Sequence, residues 1–155
     1  MQAGATNFAI QTYQRDNYLI STDVDKLDIN LIYTYLAEES YWAAGISREK
    51  VARFVRYSLC FGLYDQQEIG DRQIGFARIV TDYTTFAYLA DVFILATYRG
   101  RGLGKWLIAS VLSHPDVQGL RRWSLRTADA HSLYTRFGFK PYDNPANQLD
   151  YRPDE

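Results

Sequence analysis

The 155-residue sequence predicts an α+β domain, a mixed sheet with helices packed on its faces. Three observations carry that expectation. Two segments with apolar residues at helical spacing precede a middle third rich in aromatic and β-branched residues. A helical period returns after Gly104. Short strand-like segments then alternate with one more helix. Composition fits one domain spanning residues 1–155: apolar residues make up 47%, and 13 Tyr, 8 Phe and 3 Trp supply ample material for a single core.

Residues 8–13 and 18–21 are short apolar stretches separated by residues 14–17, and they read as an opening strand or hairpin. Asp28 is placed to cap a helix running through Leu31, Ile32, Tyr35 and Leu36. An aromatic loop at 41–45 follows. Ser47 then caps a second helix, whose Val51, Phe54, Val55 and Ser58 recur three or four apart. Residues 58–64, 73–80 and 86–95 predict three consecutive antiparallel strands, turned at Gly70-Asp71 and Thr81-Asp82. Leu103, Leu107, Ile108, Val111 and Leu112 form one helical stripe that ends before Pro115. Residues 122–126 read as a further central strand, and 128–137 as a helix stopped by Gly138. Residues 139–142 and 149–152 are expected to complete the sheet as strands.

A net charge of -1, from 17 basic and 18 acidic groups, leaves no broad positive field for nucleic acid. Arg99, Arg101, Lys105, Arg121 and Arg122 are concentrated locally, which suits a small anionic ligand or a solvated helix end. The single cysteine, Cys60, forms no internal disulfide, and its apolar run 59–63 marks it as a buried structural thiol. No run approaches the roughly 18 apolar residues of a membrane span. Residues 1–6 carry neither a basic residue nor an apolar signal core, so a cytoplasmic location without membrane partners is expected.

The stretch from Val92 to Leu107 is the most informative. A strand runs into a turn with Gly100, Gly102 and Gly104 at alternate positions, and the turn opens a helix. Glycines permit positive φ and lack Cβ atoms, so successive backbone N–H groups can converge on an anion. The helix N-terminus adds positive partial charge, making a phosphate cradle. A P-loop is excluded because Lys105 is followed by Trp106. A dinucleotide fingerprint is excluded because the turn comes late, and Arg121 and Arg122 stand where it needs an acidic residue. Tight packing of helix on strand is the remaining alternative. Further on, Ala130 and Tyr134 share one helical face while Leu133 and Phe137 share another. The second face reads as core; the first sets a phenol beside a small residue and leaves room for something to pass.

The spacing Arg99-x-x-Gly102-x-Gly104 resembles the acetyl-CoA motif of the GNAT superfamily of N-acetyltransferases. The run Leu133-Tyr134 to Gly138-Phe139 resembles that superfamily's Leu-Tyr-x-x-x-Gly-Phe signature, and the likeness covers roughly residues 73–139. The resemblance implies an α/β/α architecture, with a mostly antiparallel central sheet of six to seven strands flanked by about four helices. It implies acetyl-CoA as co-substrate, with no metal. Backbone amides of Arg99, Gly100, Arg101, Gly102, Leu103, Gly104 and Lys105 would meet its pyrophosphate. Val92, Phe93 and Ile94, at a bulge in the preceding strand, would meet its pantetheine. Tyr134 would lie near the sulfur and act as general acid. Ala96-Thr97 stands where many members have Pro-Glu, and Thr127 where many have an Asn that contacts the cofactor.

Transfer of an acyl group from a thioester to an amine needs a neutral amine, a donor for the oxyanion and an easy departure for sulfur. Amines have ordinary pKa values of about 8 to 10.4, so a base or a water relay must take a proton. Strand amides near Val92 and Ile94 would serve the oxyanion. Asp91, a carboxylate among apolar strand residues, is the candidate base, with a structural hydrogen-bond role as the alternative. Tyr88 is a strand alternative. Glu39 and Asp82 are expected near the acceptor loops, lending negative potential to the mouth. Tyr41 and Trp42 either line the acceptor pocket or seal the core. His131 reads as a surface or capping residue, and no chemistry falls to His114. The expected function is therefore acetyl-CoA-dependent N-acetylation of a primary amine on a small molecule or peptide, as monomer or homodimer. An inactive CoA-binding regulatory domain and a protein- or tRNA-modifying acetyltransferase are the alternatives.

Overall fold

Polar caps start the first two helices where the sequence places them. The computed structural model describes residues 8–67 and 69–154. Asp28 accepts from the Leu31 amide and opens α1 (Ile29–Thr34), which widens into a π-turn at Tyr35–Glu39. Ser47 accepts from the Lys50 amide and opens α2 (Arg48–Arg56). Each cap satisfies a backbone donor that the first helical turn leaves unpaired.

The strands are β1 (Thr12–Arg15), β2 (Tyr18–Ser21), β3 (Leu59–Asp65), β4 (Arg72–Thr81), β5 (Phe86–Leu89), β6 (Phe93–Ile94) and β7 (Arg122–Leu125). They form one sheet in the order β1-β2-β3-β4-β5-β7, with β6 also on β4. All pairings are antiparallel except β5 with β7. One apolar face of the sheet packs under α1 and α2, joining Ile32, Leu36, Val51 and Val55 to Cys60, Phe76 and Phe93. The other face carries α3 (Leu103–Ser113) and α4 (His131–Thr135), joining Leu107, Ile108, Val111 and Tyr134 to Phe61, Leu63, Ile74 and Ile79. This three-layer α+β arrangement, with a mostly antiparallel seven-stranded sheet, is the fold class the sequence predicts. Among the described residues, no helix is long and apolar enough to cross a membrane.

Three expectations change. The strand expected over 86–95 is two short strands, because the Ala90 amide bonds to Arg78 while Phe93 pairs with Phe76. One residue of β4, Ala77, thus opposes two of its partner, so a bulge with one extra residue falls at Asp91-Val92. The helix expected over 128–137 is one turn and a half, because Thr127 holds the amides ahead of it in a turn. Residues 139–142 and 149–152 form no strand. Pro141 lacks a ladder donor in the first, and in the second Leu149 and Tyr151 are 91% and 89% exposed, so burial does not hold the segment flat.

Candidate active site

The glycine turn takes the shape an anion cradle requires. Gly100 and Gly102 have φ of 79° and 76°, in the left-handed region, and Gly102 is the N-cap of α3. Gly104 lies in the first turn of the helix, where an added Cβ would meet only Ile94 Cγ1 at 3.9 Å. The turn is tied down from three sides by phenols. Tyr98 donates to buried Asp65 on β3 (2.8 Å). Arg99 donates to Tyr35 Oη (2.9 Å) and, through Nε, to the Ile94 carbonyl (3.0 Å). Arg101 donates to Tyr18 Oη (2.8 Å) and lies over the Tyr98 ring, so its side chain leaves the groove. Phenols fix these guanidinium groups without neutralising them.

A groove of ≈ 480 Å³ runs from this turn along Val92, Phe93 and Ile94 to Tyr134. Leu95 donates to the Ile74 carbonyl of β4. By strand alternation the backbone groups of Ile94 therefore face away from β4, toward the groove. The bulge thus frees a strand edge beside the cradle. A cofactor with a diphosphate at one end and an amide-bearing arm fits these residues: amides and cations at the turn, and beyond it a strand edge turned away from β4.

The bulge itself is pinned by Asp91, 7% exposed. One carboxylate oxygen accepts from Trp42 Nε1 (2.8 Å) and the other from Arg78 Nε (2.7 Å). Arg78 also donates to Ser58 Oγ and stacks 4.1 Å over the Phe54 ring. Both oxygens are held and a guanidinium supplies the counter-charge, which is the structural hydrogen-bond arrangement given as the alternative.

Known proteins agree with this geometry. The family model for the acetyltransferase (GNAT) domain matches residues 56–141, more than half of the chain. The chain belongs to the GNAT family. A "putative acetyltransferase" of Gibberella zeae is 33% identical over 85% of this chain and 84% of its own. The crystal structure of a "putative acetyltransferase belonging to the gnat family" from Xanthomonas campestris pv. campestris is 46% identical. It covers 90% of this chain and 95% of its own with a TM-score of 0.83. A predicted acetyltransferase of Clostridium acetobutylicum, solved with acetyl-CoA, shares the fold at 17% identity and a TM-score of 0.62 over 88% of this chain and 95% of its own.

Beyond this candidate cofactor groove lies a second cavity of ≈ 680 Å³, and the two share Trp42, Val92, Asp129, Ala130 and Tyr134. Burial pushes the Tyr134 phenol up to about 12, helped by the neighbouring Tyr41 and Asp129, so at neutral pH it holds its proton. Tyr41 and Trp42 line this second cavity, in T-shaped contact at 5.0 Å. The Ala128 amide donates to Tyr41 Oη (2.9 Å), which ties the loop between α1 and α2 to the entrance of α4.

Four expected residues stand elsewhere. Asp82 spends its carboxylate on the amides of Thr84, Thr85 and Phe86 and on Thr85 Oγ1, bonds that hold its pKa well below the usual range. It closes the β4–β5 turn and does not line the cavity. Glu39 is exposed at the end of the π-turn and lines neither cavity. Thr127 accepts from the Asp129 and Ala130 amides and lines the second cavity rather than the cofactor groove. Arg101 keeps its place in the turn but not its side chain in the groove. Conversely Arg78, Arg126, Asp129 and Arg152 line the second cavity and carry no local sequence signal. Cys60 is buried and its thiol is raised to about 12, chiefly by desolvation, so it is inert.

Proposed function

We propose that this GNAT acetyltransferase moves an acetyl group from acetyl-CoA to a primary amine by direct attack, both substrates being bound together, with Tyr134 as general acid. The observation that carries this reading is the meeting of the cofactor groove and the second cavity at Tyr134. Acetyl-CoA supplies the thioester. The cradle amides at 99–105, with the exposed Arg99 and Lys105, bind its diphosphate. The outward edge of Val92 and Ile94 aligns its arm and offers a donor to developing oxyanion charge. The amine arrives through the second cavity, past Tyr41 and Trp42. Its nitrogen bonds to the acyl carbon, the carbon–sulfur bond breaks, Tyr134 passes its proton to the sulfur, and the amine's surplus proton passes to cavity water, which returns a proton to Tyr134. The retained proton of Tyr134 suits an acid, and an inert Cys60 suits transfer without an acyl-enzyme. In this reading Asp91 is a positioning residue: it fixes the bulge that gives the groove its free edge.

The test is release of free thiol from acetyl-CoA over a panel of amines, by wild type and by Tyr134→Phe. Amine-dependent release that falls in the variant supports the reading. Saturable acetyl-CoA binding with no release on any amine would leave a CoA-binding domain instead, and acetylation of alcohols alone would replace the substrate class.

A further inference from the structure

The second cavity was expected to be acidic, and its lining is not. Its charged residues are Arg78, Arg126 and Arg152 against Asp91 and Asp129. Asp91 and Arg78 answer each other at 2.7 Å. What remains is Asp129 at the Tyr134 end, where the two cavities meet, and two arginines. The Asp150 carboxylate answers the arginine end, so a plain alkylammonium would meet Asp129 alone and leave that end unused. A molecule with an ammonium at one end and an anion at the other would meet complementary charge at both.

Arg126 follows directly on β7, and its guanidinium holds the carboxylate of Asp150, a residue of the C-terminal segment that forms no strand. The two side chains are 50% and 45% exposed, and exposed pairs of this kind contribute little net stability. The flanking Leu149 and Tyr151 are almost fully exposed, so apolar burial does not fasten Asp150 in place. A guanidinium presents planar paired donors that suit a carboxylate or a phosphate equally. Arg126 therefore has the chemistry of an anion subsite, and the chain's own carboxylate sits on it.

Resting on the reading of the second cavity as the amine site, we infer that the acceptor carries an anionic group besides its amine. That group binds Arg126 with Arg152 close by, and the Asp150 carboxylate holds its place until the acceptor displaces it. The amine then points toward Asp129 and Tyr134.

The test compares matched acceptors with acetyl-CoA: β-alanine against β-alaninamide, and 2-aminoethyl phosphate against 2-aminoethanol. The expected result is a kcat/KM at least tenfold higher for the anionic member of a pair. Arg126→Gln should lower that ratio tenfold or more, mainly through KM, and Asp150→Asn should lower KM for anionic acceptors severalfold. A preference for carboxylate or for phosphate identifies which anion is used. Neutral members acetylated as well as anionic ones, or an unchanged ratio in Arg126→Gln, overturns the inference while amine acetylation stands. If no amine is acetylated, calorimetry of the same anionic amines with the CoA-loaded protein decides: binding lost in Arg126→Gln upholds the anion subsite, and no binding to wild type removes it.

Discussion

Single residues divide into those whose protons matter and those whose bonds matter. Tyr134→Phe keeps the ring packing against Phe139 and removes only the hydroxyl. We expect kcat to fall roughly 10–1000-fold with acetyl-CoA affinity little changed, measured by steady-state kinetics and calorimetry. Asp91→Asn tests the opposite kind. The amide oxygen can still accept from Trp42, but Arg78 loses its counter-charge, at a cost of about 1–3 kcal/mol. Turnover should drop while its pH profile keeps its shape; a profile whose acidic limb vanishes would make Asp91 the base after all. His114 offers a pH signature with no catalytic content. It is fully buried, Nδ1 accepts from the Asp116 amide, and among the described residues Nε2 has no hydrogen-bond partner. Burial lowers its pKa, with Asp116 opposing more weakly. The unfolded chain therefore binds a proton, near its ordinary value of about 6.5, before the folded one does. Stability should decline as pH falls below that value, and His114→Leu should flatten the slope in denaturant titrations.

At the scale of elements, much was legible because the causes are local. The caps Asp28 and Ser47, the alternating glycines and the stripe of α3 are all short-range patterns, and each fell where it was read. Asp82 was read half rightly: the turn at Thr81-Asp82 is there, but its carboxylate is consumed by the Thr84 to Phe86 backbone and Thr85 instead of facing the acceptor mouth. The bulge at Asp91-Val92 had no such mark, having neither glycine nor proline. It is fixed by Trp42, 49 residues away, and by Arg78 on the neighbouring strand. The arginines of the second cavity were hidden for the same reason, since Arg78, Arg126 and Arg152 meet only in the fold. The cradle yields a prediction at this scale. Gly102→Val and Gly104→Val should each weaken acetyl-CoA binding more than tenfold by calorimetry. They should differ in stability. A β-branched residue at the left-handed Gly102 costs the fold about 1–2 kcal/mol, whereas Gly104 lies in ordinary helical geometry with space beside it.

For the whole molecule, the sheet has an uneven seam. β3 and β4 are joined along Leu59 to Asp65, but β5 meets β4 only at Ile79 to Thr81 before the bulge takes the chain away. Everything beyond, β7 and α4 with Tyr134, hangs on that short join and on contacts with α3 and the Tyr41 loop. The protein is thus expected to open in two stages rather than one, the β5–β7–α4 leaf ahead of the β2–β3–β4 leaf. Amide deuterium uptake at Arg122–Leu125 and His131–Thr135 should outpace that at Leu59–Asp65, and acetyl-CoA, lying across the seam, should slow the first pair far more than the second. Cofactor binding would then act as a clasp on the weaker leaf, making the population in which Tyr134 faces its substrates a matter of ligand occupancy and not of fold alone.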